Sequence, residues 1–129
     1  MFGRNAKSAI DSLIGISTRV DGNVYFRGGL RIDGEVHGNV IADAGETSVL
    51  IVSQHGRICG ELRCANMVIN GQVVGPVYAS ELLELQPSAR IVGDVYYKLL
   101  EMHGGALVSG QLTHQYNDES PLHLALSEA

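Results

Sequence analysis

A five-residue pattern, apolar–x–Gly–x–apolar, recurs six times in this chain and decides most of what it can fold into. The copies are Val20 to Val24, Val36 to Val40, Ile58 to Leu62, Val73 to Val77, Ile91 to Val95 and Val108 to Leu112, with glycine at 22, 38, 60, 75, 93 and 110. Successive glycines are 16, 22, 15, 18 and 17 residues apart. A repeat near 17 residues that fills most of a chain implies stacked units, each resting on the one before. Such a stack has two open ends, which must be capped or used.

The 129 residues are enough for one domain, and a hydrophobic content of 45% supports a real core. Aromatic content is only 5% and tryptophan is absent, so the core must be built from Val, Ile, Leu and Ala. That suits a narrow, regular interior. A net charge of −5 argues against a nucleic-acid partner, which needs a basic face. No apolar run approaches a membrane span, and residues 1–12 lack the apolar stretch of a secretory signal. Cys59 and Cys64 are too few for a disulfide framework and are expected as free thiols in a reducing compartment.

Each copy is preceded by a second apolar stretch: Leu30 and Ile32, Leu50 to Val52, Met67 to Ile69, Leu83 and Leu85, Leu100 and Met102. Alternation dominates between about 20 and 112, so the unit reads strand, Gly or Ala corner, strand, Gly, strand. Motif positions one, three and five then face inward and two and four outward. Two residues past the motif, again inward, stand Phe26, Ala42, Cys64, Ala79, Tyr97 and His114. The larger side chains fall toward the ends, as a thin core with plugged ends requires. An antiparallel sandwich accounts for the hairpin-like Asn70-Gly71 but gives no reason for a six-fold motif. The fold expected is therefore all-β: a right-handed parallel β-helix, a solenoid of about six coils with flexible termini. Residues 13–114 form the β-helix, 1–12 an N-terminal tail and 115–129 a polar C-terminal tail.

The run Gly28 to Val40, with Gly-Gly-Leu-Arg-Ile-Asp-Gly-Glu-Val-His-Gly-Asn-Val, resembles the signature of bactofilins, polymer-forming bacterial cytoskeletal proteins. So do Ile69 to Gly75, Leu83 to Pro87 and Gly93 to Tyr97. The resemblance implies a compact right-handed β-helix whose subunits join end to end without nucleotide. It also implies a scaffold for cell shape, polarity and cell-wall enzymes, placed in the cytoplasm at the inner face of the cell membrane. The residues point the same way. Open coils leave unpaired strand edges, and repetitive contacts at both ends give open filaments. No Gly-Lys-Ser or Gly-Lys-Thr loop is present for nucleotide phosphates.

On this reading the polymer interface lies at the coil ends. Leu13, Ile14, Ile16, Val20 and Phe26 belong to one end, and Tyr97, Leu107, Val108 and Leu112 to the other. No catalytic, cofactor-binding or metal-binding residue is expected. His37, His55, His103, His114 and His123 show no ligand spacing and read as polar surface or corner residues. The competing class is a β-helix enzyme of the acyltransferase or carbonic anhydrase type. Glu84 and Glu101 should stack as a solvated ladder, and Cys64 should be a small core residue. Tyr78 with Tyr96 and Val74 with Val92 form an outward apolar stripe, either routine cross-strand packing or a lateral surface. Met1, Phe2, Arg4 and Lys7 resemble the membrane-touching N-terminus of some bactofilins; a plain tail explains them equally well. The partners expected are other copies of the chain, an anionic membrane surface, and cell-wall enzymes or polarity proteins.

Overall fold

The computed structural model describes residues 10–44 and 47–115. These residues form strands and turns only, stacked in parallel as six coils of three strands each. Coil 1 holds β1 (Ser12–Ile14), β2 (Arg19–Asp21) and β3 (Val24–Phe26). Coil 2 holds β4 (Gly29–Ile32), β5 (Glu35–His37) and β6 (Val40–Ala42). Coil 3 holds β7 (Val49–Val52), β8 (Arg57–Cys59) and the start of β9 (Leu62–Ile69). Coil 4 takes the rest of β9, β10 (Gln72–Val74) and the start of β11 (Val77–Leu85). Coil 5 takes the rest of β11, β12 (Arg90–Val92) and β13 (Val95–Tyr97). Coil 6 ends the stack with β14 (Leu99–Met102), β15 (Leu107–Ser109) and β16 (Leu112–His114).

The result is a three-faced solenoid. Face A stacks β1, β4, β7, late β9, late β11 and β14. Face B stacks β2, β5, β8, β10, β12 and β15. Face C stacks β3, β6, early β9, early β11, β13 and β16. β9 and β11 run through the corner between faces C and A, which joins those two faces into one sheet. β11 carries one extra residue there, seen as a register shift between Ala79 and Leu82.

Parallel register turns the sequence repeat into inward columns. Val36, Ile58, Val73 and Ile91 form one, and Val40, Leu62, Val77 and Val95 another, each residue at most 1% exposed. Face A adds Leu30, Leu50, Met67 and Leu83 beside Ile32, Val52, Ile69 and Leu85. Burying a side chain of this size contributes roughly 1.5–3 kcal/mol. Each column contributes one side chain per coil, and among the described residues Phe26 is the one buried aromatic in the core.

The motif glycine plays a different part from the one alternation suggests. It sits at the corner between faces B and C, and the room it leaves lies along the stack. Gly60 has a φ of +154°, and a Cβ there would stand 2.0 Å from the Gly38 carbonyl oxygen. Backbone thus rests on backbone at this corner, which only glycine permits. The corner between faces A and B also uses small residues, Gly34, Gly56, Gly71, Ala89 and Ala106.

Candidate polymer interface

The inward columns are sealed in coils 2 to 5 and open at the two ends. In coil 6, Leu100 and Val108 are half-buried, while Met102 is 45% and Leu112 42% exposed. Their register partners one coil below, Leu83, Ile91, Leu85 and Val95, are buried. In coil 1, Ile14, Val20 and Val24 are half-buried over buried Ile32, Val36 and Val40. Each end therefore presents an apolar cross-section ringed by strands that lack a neighbour on one side. Unpaired parallel edges beside uncovered aliphatic side chains form a template for another chain.

The expected interface residues divide into two groups. Ile14, Val20, Val108 and Leu112 lie in the inward columns of the end coils, where a stacked subunit would cover them. Phe26 lies in coil 1 but is only 9% exposed, so it closes the core more than it faces outward. Tyr97 belongs to the penultimate coil and is overlaid by His114, whose ring lies 5.8 Å away at a tilt. Leu13 is in register with Arg31 and Leu107 with Arg90, so both belong to outward columns, exposed on the sides of the end coils. Ile16 lies in the turn between β1 and β2 and is 64% exposed. The sequence reading omitted Val24, Leu100 and Met102; the signal for them was their place in the repeat. Met1, Phe2, Arg4 and Lys7 lie outside the described residues, as do Leu122, Leu124 and Leu126 of the C-terminal tail.

Polar groups on the sides follow the same rungs. Asn23 Oδ1 accepts from Asn39 N at 2.8 Å, Asn39 Oδ1 from Glu61 N at 2.9 Å, and Asp94 Oδ1 from Gln111 N at 3.0 Å. Glu61 turns instead to Arg63, because the residue above it is Pro76, which has no N–H. His37 Nδ1 stands 3.6 Å from Asp21. His103 Nε2 lies 3.0 Å from Glu84 Oε2. Glu84 and Glu101 are in direct register, and with His103 they bring three donor atoms within 4.8 Å of one another. This group is compatible with one small cation and equally with a solvated surface ladder. Cys64 is buried, and its thiol points at Ser48 Oγ at 3.2 Å. Burial pushes its pKa up from the ordinary 9.0 and outweighs the hydrogen bonds that act the other way. That makes Cys64 a neutral core residue, whereas Cys59 is exposed.

The two outward apolar pairs differ. Tyr78 and Tyr96 stack with ring centroids 4.7 Å apart and planes 3° from parallel, and the Arg63 guanidinium lies 4.0 Å over Tyr78. Val74 and Val92 are in register on face B and are 50% and 54% exposed.

Comparison with known proteins places this geometry. Residues 12–113 match a family model described as "Bactofilin: Polymer-forming cytoskeletal". The chain is 28% identical over 111 residues to bactofilin BacO of Myxococcus xanthus, covering 86% of this chain and 85% of that one. It is also 28% identical over 109 residues to bactofilin BacP of the same organism, but spans only 44% of that relative's length. Among solved structures, it is similar to the Thermus thermophilus bactofilin reconstructed by cryo-EM as double helical filaments. That match has a TM-score of 0.58 and 30% identity, covering 81% of this chain and 99% of the other.

Proposed function

Because this chain belongs to the bactofilin family of polymer-forming cytoskeletal proteins, we propose that its solenoids stack end to end into filaments that assemble without nucleotide. The observation that carries this reading is the pair of open ends. Columns that are fully buried in the middle coils end at Met102 and Leu112 in coil 6, and at Ile14, Val20 and Val24 in coil 1. A stacked subunit removes these side chains from water and extends the strand ladders, so apolar burial and backbone pairing supply the driving force. Two such strands wind together, on the pattern of the double helical filaments of the Thermus thermophilus bactofilin.

The filament is a scaffold without an active site. It works on the cytoplasmic side of the membrane and recruits cell-wall enzymes or polarity proteins. Met1, Phe2, Arg4 and Lys7 give each subunit a weak hold on anionic lipid, on the order of 1 kcal/mol per cation. Repetition along a filament turns weak holds into firm attachment. Electron microscopy of purified protein in nucleotide-free buffer tests the reading. Long filaments are expected; discrete trimers with bound zinc would instead favour a β-helix enzyme.

A further inference from the structure

Face B changes character along the solenoid. Its outward column at the second motif position runs Asp21, His37, Cys59, Val74, Val92, Ser109. The column beside it runs Arg19, Glu35, Arg57, Gln72, Arg90, Leu107. Coils 1 to 3 are thus mostly charged, whereas coils 4 to 6 expose Val74, Val92 and, at 59%, Leu107 on adjacent rungs. Single exposed aliphatics need no explanation, but a contiguous patch on a flat sheet does. The cation nearest the patch does not cover it. Arg90 Nη1 is held at the corner by the carbonyl oxygens of Pro87, Ala89 and Gly105, at 3.3, 2.7 and 2.9 Å. The stacked tyrosines of face C, by contrast, already have partners in each other and in Arg63.

We propose that face B of coils 4 to 6, centred on Val74, Val92 and Leu107, is the lateral contact with a second copy of this chain in the neighbouring strand of the filament. The inference rests on the two-strand assembly proposed above. Two strands wound together must touch sideways at regular intervals. A patch on every subunit recurs along each strand and supplies that contact. Sheet faces carrying aliphatic residues pack at about 10 Å separation, which covers side chains of this size.

The test is mass per unit length of filaments of the full chain, measured by dark-field electron microscopy for wild type, Val74→Lys with Val92→Lys, and Tyr78→Ser with Tyr96→Ser. Both valines are half-exposed, so the lysine variant keeps its core. The expected result is paired strands for wild type and the tyrosine variant, and a two-fold lower mass per length, single strands, for the lysine variant. Paired strands in the lysine variant would overturn the proposal. So would single strands in wild type, which leave end-to-end stacking intact. So would folded lysine-variant monomers, which would move the valines into the end contact. Wild type without filaments of any kind would remove the end-to-end reading and the lateral one together.

Discussion

Asn23 Oδ1 accepts the backbone N–H of Asn39 at 2.8 Å, and Asn39 Oδ1 accepts that of Glu61 at 2.9 Å. Each side chain thus satisfies the corner of the next coil, just after the glycine. Replacing Asn39 by alanine leaves the Glu61 N–H without its acceptor. Such a loss costs about 1 kcal/mol. Thermal unfolding should show a midpoint lower by about 4 °C. Glu61→Ala should move the midpoint less, because Pro76 above it offers no N–H to receive.

The corner glycines should differ by position. Gly60→Ala meets both a φ of +154° and a carbonyl oxygen 2.0 Å from the new Cβ. Gly22→Ala, in coil 1, meets a φ of +134° but nothing within 4 Å. Backbone strain alone costs about 1–3 kcal/mol, and a backbone clash adds to it. Chemical denaturation should show Gly60→Ala destabilised well beyond Gly22→Ala. Equal losses would mean that close stacking is unimportant here.

The repeat was legible because axial stacking leaves a chemical mark at each corner. Gly38, Gly60, Gly75, Gly93 and Gly110 each stand where a Cβ would meet the backbone of the coil below. The inward columns were legible because short strands with a single buried face alternate. What alternation could not show is where along the axis a side chain points. Alternation from inward Val108 already sets Leu107 outward, over Arg90, but Leu13 precedes the first motif, and only its pairing with Arg31 reveals it as outward. The corner between faces C and A carries no signature. It is continuous strand at Ala65, one residue longer in β11, and between coils 2 and 3 six residues of sequence separate Ala42 from Val49. For that reason the bonds linking Ser48 with Cys64, Ala65 and Asn66 were not foreseen. Nor was the approach of His103 to Glu84, a diagonal contact between neighbouring rungs.

Cys59 and Cys64 should separate cleanly in thiol reactivity. At pH 8, Cys59 should alkylate readily in native protein, whereas Cys64 should react only on unfolding, since burial both shields it and raises its pKa. A raised folded-state pKa contributes stability below the ordinary thiol value and loses it as pH rises through the folded value. Alkaline destabilisation beginning above about pH 9 should therefore be weaker in Cys64→Ala than in wild type. Rapid native alkylation of Cys64 would contradict this picture.

Membrane attachment should depend on polymerisation. Sedimentation with anionic liposomes should fall for Phe2→Ala, for Arg4→Ser with Lys7→Ser, and for subunits that cannot stack. It should also fall at high ionic strength, where surface charge is screened within a few ångströms. Equal binding after deletion of residues 2–8 would reduce that segment to a tail.

End-to-end stacking is tested most directly by placing charge in the open cross-sections. Leu112→Arg alters coil 6 and Val20→Arg alters coil 1, both in inward columns at the open ends, where the side chains are only partly covered. An unpaired charge in a buried contact costs several kcal/mol, and each 1.4 kcal/mol is ten-fold in affinity. Electron microscopy with analytical ultracentrifugation should find wild-type filaments, but folded monomers or dimers for either variant. Long filaments from both variants would contradict the account.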